Sequence, residues 1–140
     1  MNKKVLWSAG IVAALVGLSG FIAVKNLAVY KADLKLPEGF SATIVADSLG
    51  SVRHLVVTSK GDVYVKMNSV RRNKGIFFLS DTNHDGRLDK KKMFAEYAGT
   101  GIKINDHYLY ATSNTGVFRY KLNDKDEVID ANNPEVIVKG

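Results

Sequence analysis

The 140-residue sequence contains no cysteine. Disulfide bridges, cysteine metal sites and a lipid-modified cysteine are therefore excluded, while any redox compartment stays possible. Excess charge is also scarce outside the N-terminal region, because residues 36–140 hold 15 basic and 13 acidic residues. Most of the net charge of +6 therefore comes from residues 1–35. A nearly neutral globular part does not predict a partner of the nucleic-acid class.

The N-terminal region holds an uncharged run of 20 residues, 5–24, which Lys3 and Lys4 precede and Lys25 follows. A helix that rises about 1.5 Å per residue would cross a hydrocarbon core of about 30 Å over this run. The run predicts a membrane-bound signal anchor, with a cleaved signal peptide or a buried core helix as alternatives. Residues 1–35 are thus the predicted signal with its tether. Residues 36–140 are the predicted domain, membrane-anchored or secreted, on the periplasmic or extracytoplasmic side.

Residues 36–140 lack any long stretch with helical periodicity, and short runs with strand character alternate with turn residues. A first predicted strand covers Ser41–Ala46. It fits the outer strand of a blade whose other strands come from the opposite end of the chain. Four predicted strands then lie between His54 and Tyr97, and four more between Gly101 and Lys139. Each set spans about 40–45 residues, the repeat length of a β-propeller blade.

This repeat predicts an all-β fold. The specific prediction is an incomplete β-propeller of about two four-stranded blades, preceded by an N-terminal hydrophobic helix. An antiparallel sandwich is the alternative, because strand spacing alone does not separate the two architectures.

The polar loop between the third and fourth strands of the first unit carries the sharpest motif. Oxygen-bearing side chains alternate around a glycine, as in loops that bind Ca²⁺. The predicted ligands are Asp81, Asn83, Asp85, the carbonyl of Arg87, and Asp89. The full EF-hand pattern fails because Lys92 stands where that pattern has glutamate. A metal-free turn held by side-chain hydrogen bonds is the alternative.

The three histidines, His54, His84 and His107, show neither metal-ligand spacing nor a nucleophile motif. A histidine at the start of a strand is typically held by a structural hydrogen bond, which is the favoured interpretation for His54. The cluster Arg71–Lys74 is predicted to be a solvated loop between strands. No catalytic residue and no cofactor-binding residue is assigned in this sequence.

Several segments, taken in order, resemble the glucose/sorbosone dehydrogenase family and its sorbosone dehydrogenase-like branch. They are Leu36–Phe40, Val52–Val57, Gly61–Val65, Gly75–Leu79, Asp81–Asp89, Gly99–Ile102, Tyr108–Tyr110 and Val117–Leu122. The resemblance implies a six-bladed propeller whose complete members oxidise sugars or polyols in the bacterial periplasm. They use pyrroloquinoline quinone and Ca²⁺, and the loop Asp81–Asp89 is not that cofactor's calcium site.

The same resemblance implies a general-base histidine in a segment after the second blade. That segment would start near Gly140, so this chain is expected to be an inactive N-terminal part of such an oxidoreductase. A non-catalytic exported β-propeller binding module is the alternative, because fold does not fix function. A small anchored β protein that oligomerises to cover its strand edges is a third possibility.

Overall fold

The computed structural model describes residues 34–140. The predicted N-terminal hydrophobic helix and the run 5–24 lie outside these described residues. The part of the chain that the structure describes forms eight β-strands and no helix. The predicted all-β class is therefore confirmed.

The eight strands form two four-stranded antiparallel meanders, in the orders β1-β2-β3-β4 and β5-β6-β7-β8. The first sheet consists of β1 (Val52–Val57), β2 (Val63–Arg71), β3 (Lys74–Ser80) and β4 (Lys90–Phe94). The second consists of β5 (Ile102–Asn105), β6 (Tyr108–Thr112), β7 (Gly116–Lys121) and β8 (Glu135–Lys139). The prediction of two four-stranded units is confirmed, but residues 34–140 do not form a closed barrel or propeller.

Two tight turns set the strand lengths. Arg72 and Asn73 connect β2 to β3 with φ angles of 50° and 59°, and Asp106 and His107 connect β5 to β6 with 46° and 59°. Positive φ at both central residues gives a turn whose twist matches that of the flanking strands. The predicted loop Arg71–Lys74 is therefore wrong at its ends, because Arg71 and Lys74 pair across β2 and β3.

The predicted strand Ser41–Ala46 is also wrong, because these residues do not form a strand of either sheet. The segment crosses the first sheet instead, where the amide of Leu88 donates to the carbonyl of Val45 at 2.8 Å. Ala46 packs against the side chains on that face of the sheet. The alternating pattern therefore reflects contact with a sheet face and not pairing with a sheet edge.

The two sheets pack face to face on one shared core. The first sheet and the turn after it contribute Tyr64, Ile76, Phe78, Phe94 and Ala95, and the second contributes Ile102, Leu109, Ala111, Tyr120 and Leu122. The rings of Phe94 and Tyr120 meet edge to face across the interface, with centroids 5.3 Å apart. The sheets are thus joined by side-chain packing.

A second cluster lies on the opposite face of the first sheet. It consists of Val65, Met67, Phe77, Leu79 and Leu88, and Ala46 and Leu49 pack against it. Strand β3 and the Val63–Met67 part of β2 are therefore buried on both faces, which accounts for their largely apolar sequences.

Candidate functional site

The predicted calcium loop, Asp81–Asp89, connects β3 to β4 at one end of the first sheet. The carboxylate of Asp81 accepts hydrogen bonds from the amides of Asp85 at 3.3 Å and Gly86 at 2.9 Å. Gly86 has a φ of +86°, which lets the chain turn back toward Asp81. This part of the loop is therefore held by a carboxylate at its start.

The other predicted ligands make similar local contacts. Asn83 Oδ1 accepts from the amide of Asp85 at 3.1 Å, and Asp85 Oδ1 accepts from the amide of Arg87 at 2.8 Å. Asp89 accepts from the amide and the hydroxyl of Thr82 at 2.7 and 2.6 Å, and these hydrogen bonds lower the pKa of its carboxyl. The arrangement is that of a turn stabilised by side-chain hydrogen bonds.

Whether a metal fits this loop depends on how many lone pairs of the carboxylate oxygens are not already used in hydrogen bonds. Within residues 34–140, no group of three or more histidine, cysteine, aspartate and glutamate side chains is placed to hold a metal ion. An ionised carboxylate nevertheless has about four lone-pair sites, so two hydrogen bonds to Asp81 leave acceptor capacity. Calcium binding by Asp81, Asn83, Asp85, Arg87 and Asp89 stays a prediction.

The three histidines lie on three different elements of the structure. His54 lies on β1, where its Nδ1 is 3.2 Å from the carbonyl oxygen of Thr100, a contact between the first sheet and the segment before β5. His107 lies in the β5–β6 turn, and His84 lies in the predicted calcium loop with a φ of 57°. The structural interpretation of His54 agrees with this contact.

Sequence reasoning missed Lys66, the fully buried lysine of β2. Its Nζ donates to the carbonyl of Tyr97 at 3.0 Å and lies 4.0 Å from the centroid of the Tyr97 ring. Burial lowers the pKa of Lys66 to about 8. The sequence carried one indication of this burial, because Lys66 lies inside the apolar run Val63–Met67. A strand that is buried on both faces exposes neither set of alternating side chains.

The contacts of Lys66 are structural in kind. They attach the β4–β5 connection to the first sheet, and the hydroxyl of Tyr97 meets that of Tyr120 at 2.9 Å on the second sheet. Across residues 34–140, every buried side-chain nitrogen and oxygen has a hydrogen-bond partner. The buried lysine is therefore compensated by a carbonyl and a ring, as a buried charge requires.

A second charged group attaches the β7–β8 loop to β4. Glu127 pairs with Lys90 at 3.0 Å and with Lys92 at 2.8 Å. These contacts lower the pKa of the Glu127 carboxyl, with Lys92 as the larger cause. Tyr64 acts on the same loop, because its hydroxyl donates to the carbonyl of Asp126 at 2.8 Å and accepts from the amide of Val128 at 3.0 Å. The groups between the sheets thus stabilise their packing.

The fold and these contacts define an all-β protein of two packed meander sheets. Residues 34–140 match the model of the TrAA12-like family. The match covers more than half of the chain, so the chain belongs to the TrAA12-like family. No curated protein and no solved structure matches the chain.

This family match corrects the resemblance to the glucose/sorbosone dehydrogenases, which is wrong as a family assignment. The interpretation as the N-terminal part of a sorbosone or glucose dehydrogenase is wrong with it, and the match gives no support to a non-catalytic binding module. The physical reason lies in the segments that carried the resemblance. Gly61–Val65 and Tyr108–Tyr110 are turn and strand residues whose pattern reports sheet packing, which unrelated β meanders share.

The predicted membrane contact rests on residues 5–24, outside the described part. Among residues 34–140, no helix is long and apolar enough to cross a membrane. Membrane anchoring and an extracytoplasmic location stay predictions.

Proposed function

We propose that residues 34–140 are a structural unit of an oxidoreductase-type domain, built as two neighbouring blades of a β-propeller. Membership of the TrAA12-like family supports the oxidoreductase class. One observation carries the blade interpretation: two consecutive four-stranded meanders share one core and each leaves an outer face. Neighbouring blades pack in this way around a propeller axis.

The contacts of the charged groups support a structural role for this unit. Lys66, which is fully buried, and Glu127 of the β7–β8 loop each hold one segment onto another. Glu127 lines a cavity of about 340 Å³, but both of its carboxylate oxygens pair with lysines. General acid–base chemistry needs a group that is available to a substrate. The unit therefore supplies a rigid support for chemistry carried by other groups of the domain.

Three further features belong to the same proposal. Calcium bound in the loop Asp81–Asp89 has a stabilising role, because the loop joins two strands of the first sheet. Pyrroloquinoline quinone is proposed only for the complete protein, and no described residue is assigned to it. The anchor at residues 5–24 would hold the unit at a membrane on the periplasmic or extracytoplasmic side.

An activity assay on the full chain tests the structural role. The purified chain, with its β-structure verified by circular dichroism, is mixed with a dye acceptor and a panel of sugars and polyols, with and without added pyrroloquinoline quinone and Ca²⁺. We expect no dye reduction above that of the cofactor alone. Dye reduction that depends on the folded chain would overturn the proposal.

A further inference from the structure

The first described residues of the chain, 34–40, here called the entry segment, present large apolar side chains to solvent. Leu34 is 62% exposed, Leu36 is 42% exposed and Phe40 is 73% exposed. Scattered exposed apolar side chains are normal on a protein surface, whereas clustered ones mark interaction sites. The entry segment is therefore a candidate contact surface.

A tight turn fixes the backbone around Phe40 in the entry segment. The amide of Phe40 donates to the carbonyl of Pro37 at 3.2 Å, which closes a four-residue turn. Gly39 is the third residue of this turn and has a φ of +85°, which a glycine adopts without steric cost. Phe40 thus extends from a folded turn, and less conformational entropy is lost when such a residue binds a partner.

The sequence places the entry segment close behind the proposed anchor. The uncharged run ends at residue 24, and only residues 25–33 connect it to Leu34. At about 3.3–3.6 Å per residue, this connection spans at most about 30 Å. The polar headgroup zone is about 5–8 Å thick on each side of the hydrocarbon core. The length of the connection therefore keeps the entry segment within reach of the membrane surface.

The charged groups near the entry segment suit a shallow contact. The stem of Lys35 can lie along an apolar surface while its ammonium group stays in water or beside a lipid phosphate. Glu38 is the one carboxylate of residues 34–40, and it is exposed. Farther along the chain, Val45 lines a groove with the carboxylates of Asp62 and Asp81. Because ionised carboxylates resist removal from water, the contact is limited to the entry segment.

We propose that the entry segment lies in the interface of the membrane that holds the anchor. Leu34, Leu36 and Phe40 then sit at the boundary between headgroups and acyl chains, about 5–10 Å deep. The inference rests on the proposed anchor, because the anchor brings the bilayer to the segment. The chain would thus have two membrane contacts, and the second would hold the first sheet in one orientation toward the bilayer.

Quenching by spin-labelled lipids tests the contact, and the natural chain, which has no cysteine, allows one dye at a chosen site. Full-length Ser41→Cys carries a bimane dye next to Phe40 and is reconstituted into phosphatidylcholine vesicles. We expect spin labels high on the acyl chain to quench this dye more than spin labels near the chain end, because the contact is shallow.

The matched control is Ser69→Cys with the same dye, because Ser69 is also an exposed serine. It lies in β2, six residues after Val63, which lines the same groove as Val45. At about 3.3 Å per residue, Ser69 is about 20 Å from that groove. The spin-labelled lipids should leave the dye at this site unquenched.

A second substitution identifies the side chain that makes the contact. In the labelled Ser41→Cys chain, Phe40→Ser should weaken the quenching. Val70→Ser, at an apolar site 46% exposed in β2, should leave it unchanged. The inference would be overturned by equal quenching of the dyes at Ser41→Cys and Ser69→Cys. It would also be overturned if the Phe40→Ser chain were quenched as strongly as its parent.

Trp7, the one tryptophan of the chain, separates this inference from the anchor on which it rests. It lies in the uncharged run, so the same spin-labelled lipids should quench its fluorescence. A quenched Trp7 together with an unquenched dye at Ser41→Cys would overturn the inference and leave the anchor in place. An unquenched Trp7 would overturn both, and neither result bears on the assay of dye reduction.

Discussion

The two sheets have the same strand order, yet their faces are covered differently. In β3 of the first sheet, every residue from Gly75 to Ser80 is buried. In β6 of the second sheet, buried residues alternate with half-buried ones. The first sheet lies between the shared core and the segment before β1, whereas the second sheet has only the shared core.

Because the strand order is the same in both sheets, the side-chain pattern of each strand follows from how many of its faces are covered. A strand with two covered faces needs apolar residues at every position, and a strand with one needs them at every second position. The tyrosines at the alternate positions of β6 suit a half-exposed face, because each has an apolar ring and a polar hydroxyl.

The largest expected effect is on the second cluster, which lies on the face of the first sheet away from the shared core. Leu79→Ala empties a site that is 1% exposed and should lower the free energy of unfolding by about 2–5 kcal/mol. Val138→Ala, in β8 of the second sheet at 54% exposure, should change the free energy of unfolding by less than about 0.5 kcal/mol. Urea denaturation measures both. Equal losses would contradict the difference in coverage.

The next effect concerns Lys66 and pH. The pKa of Lys66 is lowered to about 8 in the folded protein, so the unfolded chain binds its proton more tightly. Below pH 8 the buried charge opposes folding in full, and the penalty is relieved as pH rises from 8 toward the ordinary lysine pKa of 10.5. The relief amounts to at most about 3 kcal/mol.

The variant Lys66→Met should remove this pH dependence. Denaturation of the natural chain and of the variant between pH 7 and 9.5 isolates the lysine, because all other groups are common to both. We expect the natural chain to gain stability relative to Lys66→Met as pH rises. Parallel curves would show that Lys66 is solvated and that the shared core is looser than described.

A smaller loss of stability is expected in the loops that connect the third and fourth strands of each sheet. Asp81 accepts from the amides of Asp85 and Gly86, and Asn123 of the second loop accepts from those of Lys125 and Glu127. Asp81→Ala and Asn123→Ala should therefore each cost about 1 kcal/mol in thermal or urea unfolding. A cost in only one loop would mean that the other is held by different contacts.

The smallest effect is that of calcium on the first loop. Titration calorimetry of the natural chain should show binding at about millimolar Ca²⁺, which Asp81→Ala and Asp85→Ala abolish and Asn123→Ala retains. At a Ca²⁺ concentration equal to Kd, the gain in stability is only about 0.4 kcal/mol. An absence of binding heat in the natural chain would favour the metal-free turn.

Much of the strand layout follows from local sequence. Each of the two predicted sets contains four strands, because each alternating or apolar run is closed by turn residues. The end of β2 was not predictable in the same way, since the positive φ of Arg72 is uncommon for that residue type. Local pattern thus gives element type better than element end.

Features that depend on distant partners were not predictable. The position of Lys66 in an apolar run indicates burial, but the group that compensates its charge, the carbonyl of Tyr97, lies 31 residues along the chain. The segment Ser41–Ala46 alternates like a strand, but only the packed sheet shows that it covers a face. The family was misassigned for a related reason, because short strand and turn motifs report packing and not descent.

Because the two sheets share one core, we expect them to unfold as one unit. Native-state hydrogen exchange, followed strand by strand with increasing denaturant, tests it most directly. We predict that amides of the central strands β2, β3, β6 and β7 exchange through a single global opening with one free energy. Exchange of β6 and β7 through a separate opening of lower free energy, with β2 and β3 still protected, would contradict the claim.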